Sequence, residues 1–495
     1  MNELEALTIE SIWQNASSMR LQMAKRKEYY LGNQDIVGRN QIYVDGSSKA
    51  EIVSNFIRFG VDLYTGSIAG RPYNISQLEN DEDSDTEYSG AEAYREIGTN
   101  NNFDAIDVAN LRNALICGYS VELHEFIDGQ IVITERDPIA WLPIYNSNAE
   151  MIGIINRSTV YGGEFFGNEL LNDKLEIMVL YTADRMKTWH KDMSTRAKEW
   201  VLVEDVPHYY GKPPVVIWRT NKDKTSIISD DLITQQDEYN DIDSASGDSL
   251  RYDTDGVLAI KGYSQKNIQD NAEQIREFKL LPLPENGDAY FISKGTDSSR
   301  IESRLARTRQ HIFMTMAVPD IEDIVGATGS TSGIALKLKF KPMQDNAAYM
   351  ISNLRQGVRS RIELINAVIG RIQDSKRIEN VQVNIDFALP TNRVEEWQNI
   401  GSLSGIVSHR KQLEVLTDVV DVDQEERRLS KESEDAQFIA RTDGTPGEIQ
   451  ARSEAQINAN AELIQPQIST VIDSITDAVL SETLRRSRPE TRNNS

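Results

Sequence analysis

The pattern that most limits the fold is one apolar stripe. Leu354, Val358, Ile362, Ile365, Ile369 and Ile372 recur within residues 344–373, and a 3.6-residue period predicts a long amphipathic helix. A face that long needs other elements to cover it. The material is present: 495 residues amount to about three average domains. Apolar residues make up 39% and charged residues 26%, an ordinary globular composition that excludes a fibrous or mostly disordered chain.

Upstream, Leu4, Leu7, Ile12, Trp13, Met19 and Met23 predict one or two amphipathic helices that stop at Gly32-Asn33. A helix is expected over Asn55–Thr65, ending before Gly66, with an extended exit at Arg71-Pro72. Another is expected over Phe103–Cys117. Short strand-like runs follow at Ser120–Ile127, Gln130–Glu135, Gly153–Tyr161, Lys174–Tyr181, Lys187–His190 and Trp200–Val203. Asp128-Gly129 between the first two is a hairpin signal. Residues 118–220 therefore read as a β-rich unit in a helical surround, closed by Gly211-Lys212-Pro213-Pro214, and the fold class as α+β.

Two helices of opposite character come next. Residues 230–255 carry nine acids and one base, Arg251, whereas residues 297–317 set Arg300, Arg304, Arg307 and Arg309 against Asp297 and Glu302. They bracket a small β/α unit: a strand at Val257–Gly262, a helix over 264–278, an extended run at Leu280–Leu283 and a strand at Ala289–Ser293. A Gly/Ser/Thr-rich loop, Gly326 to Gly333, then enters a helix carrying Lys337, Lys339 and Lys341. Val381–Phe387 alternates as a strand. The pattern beyond 391 is helical, and its last amphipathic stretch is marked by Ile468, Val471, Ile472, Ile475 and Val479. No internal repeat is visible.

Catalytic constellations are absent from the pattern. A nucleotide-binding loop needs Lys followed by Ser or Thr after its last glycine; here Gly333 is followed by Ile334-Ala335-Leu336. The histidines (124, 190, 208, 311, 409) are scattered and lack the spacing of a zinc site. Residues 79–87, with six acids in nine positions, read as a solvated loop and not a Ca²⁺ loop, since no glycine is suitably placed. The single cysteine, Cys117, fits a reducing compartment and no internal disulfide. No secretory signal or membrane-spanning run is expected. The net charge of −24 makes the chain a poor candidate for a non-specific nucleic-acid coat, which needs clustered Lys and Arg, but leaves contact with nucleic acid open, since it does not say where the charges sit.

Several blocks, in order, resemble a known family: Tyr29-Tyr30-Leu31-Gly32-Asn33, NFIRFGVDLYTGSIAGRPY at 55–73, VPDIEDIVGATGSTSGIALKLKF at 318–340, and the long helix with Met343 and Ala347. Together they are similar to portal proteins of tailed bacteriophages, the type of long-tailed phages of Gram-positive hosts, over about residues 20–400. That family often has Phe-Gly before the Gly-rich loop; this chain has Val325-Gly326.

The resemblance implies a non-enzymatic ring, usually of twelve subunits, at one capsid vertex of the virion, with no cofactor or metal and no membrane contact. Double-stranded DNA enters and leaves through its axial channel. The implied partners are the terminase large subunit, a head-completion or adaptor protein, and the major capsid and scaffolding proteins. The implied layout is a wing (1–229, with strand 375–395), a stem (230–255 and 297–317), a clip (256–296), a tunnel loop and long helix (318–374) and a helical crown (396–495). A capsid-associated scaffolding protein that never meets DNA is the alternative.

Two expectations concern named residues. Asp237, Glu238 and Asp241 of the acidic helix are expected to face Arg300, Arg304 and Arg307 of the basic helix, in the same or a neighbouring subunit. The small, uncharged loop of Gly326, Thr328, Gly329, Ser330, Thr331, Ser332 and Gly333, with Lys337 and Lys339, is expected to touch DNA in the channel.

Overall fold

The computed structural model describes residues 2–42, 48–77, 90–161, 165–166, 169–170, 174–193, 199–254, 257–261, 280–283, 290–292, 298–320, 322, 333–372, 377–388, 408–415, 422 and 425–433. The chain divides into two units, Met1–Thr391 and Asn392–Ser495.

The first unit opens with helices α1 (Asn2–Asn15) and α2 (Ser17–Leu31). Gly32, at φ +97°, closes α2 in the left-handed conformation that glycine adopts without strain. The buried face of α1 is Ala6, Ile9 and Trp13; Leu7, expected in it, is exposed. Helix α3 (Phe56–Ala69) starts where the Asn55 side chain accepts the Arg58 N–H. It runs through Gly66, past its expected end, because Ile68 and Ala69 extend its buried face. Strand β1 (Asn74–Gln77) follows, then α4 (Gly90–Asn101), which sequence reading missed, and α5 (Phe103–Cys117).

The β-rich region holds β2 (Tyr119–Ile127), β3 (Gln130–Arg136), β4 (Trp141–Tyr145), β5 (Met151–Val160), β6 (Phe165–Phe166), β7 (Glu169–Leu170), β8 (Leu175–Tyr181), β9 (Arg185–Asp192), β10 (Val201–Pro207) and β11 (Val215–Arg219). Asp128 and Gly129 turn β2 into β3 with φ of +52° and +83°, the two positive values that a tight hairpin requires. One antiparallel sheet has the order β11-β2-β3 and another β10-β9-β8-β5-β4. Helix α1 covers the second sheet, its Ile9 and Trp13 packed with Ile155, Met178 and Trp189.

Helices α6 (Asp230–Thr254) and α7 (Ser298–Met316) bracket three short strands, β12 (Val257–Lys261), β13 (Leu280–Leu283) and β14 (Tyr290–Ile292). β12 pairs parallel with β13 and antiparallel with β14. The helix expected over 264–278 lies outside the described residues.

The long helix α8 spans Gly333–Ile372, 40 residues with Pro342 inside it. It starts earlier than the apolar stripe suggested. Phe340, Met343, Ala347 and Ile351 carry the same buried face toward the N-terminus, so packing continues across the proline. Leu354, Val358, Ile362 and Ile365 are buried in the main core as expected. Strand β15 (Val381–Asn384) pairs antiparallel with β1. In the second unit, α9 (His409–Val415) and helical residues 425–433 are described; the expected final helix is not among them. Among the described residues no helix is long and apolar enough to cross a membrane.

Candidate functional site: a charged helix pair and a buried arginine

Helices α6 and α7 pack on α3 through an aromatic cluster. Phe56 meets Tyr239 edge-on at 4.9 Å and Phe313 at 5.5 Å. The Tyr64 hydroxyl donates to the Met316 carbonyl at 3.1 Å. Gly60 leaves room for the end of the Met316 side chain, which a Cβ there would meet.

The rest of α6 is held by a polar ladder. Gln236, Asn240, Ser244 and Asp248, each one turn apart, are all buried. Asn240 Oδ1 accepts the Ser54 N–H at 3.2 Å, Ser244 Oγ the Ile52 N–H at 2.9 Å, and Asp248 Oδ1 the Ala50 N–H at 2.9 Å. Gln236 Nε2 donates to the Ser54 carbonyl at 2.7 Å. An extended segment exposes alternate N–H groups on one side, and side chains at i+4 spacing on a helix meet them in register. The segment thereby satisfies backbone donors without a partner strand.

The expected charged residues are placed as follows. Arg304 pairs with Glu238 at 2.9 Å, joining α7 to α6. Asp237 accepts from the Tyr29 hydroxyl at 3.0 Å and Asp241 pairs with Arg39 at 2.7 Å, so both bind the N-terminal region. Arg307 is exposed, as is Arg300. Arg309 engages Asp320 at 3.1 Å and also Glu322. Gly326, Thr328, Gly329, Ser330, Thr331 and Ser332 lie outside the described residues. Gly333 opens α8, Lys337 is exposed and Lys339 half-buried.

A second charged centre was not foreseen. Arg361, fully buried on α8, donates Nε to Glu122 Oε1 at 2.9 Å and Nη2 to Glu122 Oε2 at 2.6 Å. It also reaches Asp107 on α5 at 2.5 Å and the Tyr94 hydroxyl on α4 at 2.9 Å. Its guanidinium lies 4.2 Å from the Phe103 ring centroid and 4.7 Å from that of Trp218. Trp218, Asn110 and His124 all bond to Glu122.

One cation thus faces two buried carboxylates. Desolvation pushes Asp107 up to about 6, against the pull of Arg361. Desolvation acts the same way on Glu122, but the Arg361 charge and hydrogen bonds from Arg361 and His124 bring it down to about 2. Burial lowers the His124 pKa, against the pull of Glu122, whose Oε1 lies 2.9 Å from the His124 Nε2. Among the described residues no group of histidines, cysteines and carboxylates could hold a metal ion.

Compared with known proteins, residues 9–438 match the family described as phage portal protein, SPP1 Gp6-like. This chain belongs to that phage portal family. No curated protein matches it. A chain in a solved structure described as "Neck of empty GTA particle computed with C6 symmetry" is 13% identical and matches 72% of this chain and 88% of its own length, with a TM-score of 0.39.

Portal proteins are a structural family, and the role that comes with membership is that of a portal or connector of a phage capsid. Within this portal chain the helix pair and the arginine centre each join elements far apart in sequence. The first joins α6 and α7 to the N-terminal region. The second pins α8 to α4, α5 and both strands β2 and β11. A lone Arg in an apolar helical stripe was the sequence signal for the second; Gln236, Asn240, Ser244 and Asp248 at four-residue steps were the signal for the first.

Proposed function

We propose that copies of this portal chain close into a ring at a capsid vertex and that double-stranded DNA passes through the axial opening during packaging and ejection. The family match over residues 9–438 carries this reading. Terminase docks on one end of the ring, in the region of residues 256–296, and head-completion, capsid and scaffolding proteins bind its other surfaces. The chain supplies no catalysis; the motor belongs to terminase.

The geometry supports a division of labour. Arg361 and Gly333 are 28 positions apart on one helix, roughly 42 Å at 1.5 Å per residue. From Phe340 onward α8 is anchored in the core, and only its first turns, which follow the loop assigned to the channel, are left for contact with DNA. Lys337, exposed near that end, meets phosphates transiently. Arg304 and Glu238 tie α6 to α7 within a subunit, and exposed Arg307 is left to face a neighbouring copy. Weak, repeated contacts of this kind set register in a ring while the acidic bulk, at −24 per chain, keeps DNA sliding.

Gly329→Pro tests the loop assignment. Particles carrying it should contain intact rings and less DNA. A full genome content in that mutant would contradict the role given to the loop.

A further inference from the structure

In a chain with an excess of 24 negative charges, one groove has only cations among its charged lining residues. It has a volume of about 670 Å³ and lies between β11, the β4–β5 turn and α8. Lys212, Arg219, Lys222 and Lys224 line it, and no carboxylate among the described residues does. Its floor is apolar, with Met151, Val215 and Leu364.

The cations are presented by a built turn. Asn221 Oδ1 accepts the Thr225 N–H at 2.9 Å, and its Nδ2 donates to the Thr225 carbonyl at 2.7 Å. Lys224 adopts φ +55°, a conformation that a non-glycine residue holds only when its surroundings enforce it. Its Nζ lies 3.7 Å from the Tyr145 ring centroid. Burial lowers the Lys224 amine to about 8, and Arg219 adds to the effect. Lys212 is paired at the groove's edge with Glu363 at 2.5 Å. The side chains of Arg219 and Lys222 have no hydrogen-bond or ion-pair partner among the described residues. Asp223, in the same turn, does not line the groove.

Two uncompensated cations, Arg219 and Lys222, above an apolar floor suit an anionic ligand that also has apolar groups. A bare phosphate would leave the floor uncovered. We propose that this groove is a binding site for a carboxylate-rich peptide, and that its occupant is the segment of residues 79–87 from a second copy of this chain. That stretch, Glu79-Asn80-Asp81-Glu82-Asp83-Ser84-Asp85-Thr86-Glu87, holds six carboxylates and is flanked by Leu78 and Tyr88, so both its charge and its apolar ends match the groove. Opposed patches on identical subunits build a head-to-tail contact, the kind that generates a ring when the rotation between copies closes. The second copy as donor rests on the ring reading above; capture of the peptide by a single chain does not.

The test uses a fluorescein-labelled peptide of residues 78–89 and the full-length chain with its own six acids neutralised (Asp→Asn, Glu→Gln), at concentrations where it is monomeric. Saturable binding is expected, at least tenfold weaker in the same chain carrying Arg219→Gln and Lys222→Gln, with circular dichroism unchanged. Equal binding by that variant overturns the site. So does displacement of the peptide by inorganic phosphate or a short DNA duplex as readily as by unlabelled peptide. A monomeric chain with its acids intact should bind the peptide as well as the neutralised one. If only the neutralised chain binds it, the segment fills its own groove and the second-copy assignment falls.

Discussion

Arg361 on the long helix and Glu122 on β2 form a two-bond ion pair, 2.9 and 2.6 Å, with neither side chain exposed to solvent. They are 239 positions apart, so the pair ties the last core helix to the first long strand. Removing one member of such a pair strands a buried charge, which costs far more than the pair contributes.

Arg361→Met should therefore destabilise the chain by about 3–5 kcal/mol, read as a lower urea midpoint. Adding Glu122→Gln and Asp107→Asn to it should recover part of the loss, because the charges then leave together. A single mutant as stable as the parent would show that the centre carries no such load.

Acid should act on the two carboxylates in opposite senses. Asp107 has a folded pKa of about 6 against an ordinary 3.8, so its ionised form is penalised by burial. Its contribution to stability rises as pH falls through 6 toward 3.8, because the native state then binds more protons than the unfolded one. Glu122, at about 2 against 4.5, contributes stability above 4.5 that is lost as pH falls from there toward 2. Urea midpoints measured from pH 7 to 3 should show Asp107→Asn flattening the first trend and Glu122→Gln the second. Unchanged profiles in both variants would contradict the assignment.

Asn240→Ala removes the acceptor of the Ser54 N–H and the donor to Gln34 in one step. The expected cost is about 1–3 kcal/mol for each group left unpaired. Hydrogen exchange should report it locally, as faster exchange at Ser54 and Ile52, with the amides of β8 unaffected.

Gly357→Ala places a Cβ 2.6 Å from Cε3 of Trp218. A buried indole cannot swing aside as a methionine tip can, so α8 must shift. A loss of about 1–3 kcal/mol and a change in tryptophan emission are expected; Gly66→Ala, which meets nothing within 4 Å, should show neither.

What could be read from the sequence follows from which interactions are local. The Phe103–Cys117 helix, the Asp128-Gly129 turn and the two helices of opposite charge each depend on neighbours a few positions away, and all stand where expected. The helix expected to carry Lys337, Lys339 and Lys341 and the long helix expected over 344–373 are one element, because Phe340 and Met343 bury on the same face as the rest, across Pro342. Strand β11 was missed because Val215–Arg219 is defined by pairing with β2, nearly a hundred positions earlier. The polar ladder of α6 is non-local too: Asn240 and Ser244 are buried acceptors only because the segment at 50–54 packs against them. Arg361 is non-local in the same way: its partners Glu122 and Asp107 lie on other elements, more than 200 positions earlier.

Electron microscopy of the purified full-length chain bears most directly on the portal reading. Annuli with an axial opening wide enough for a DNA duplex are the outcome this account requires. Particles that remain single chains at every salt and protein concentration, or that assemble into bodies with no opening, would contradict it.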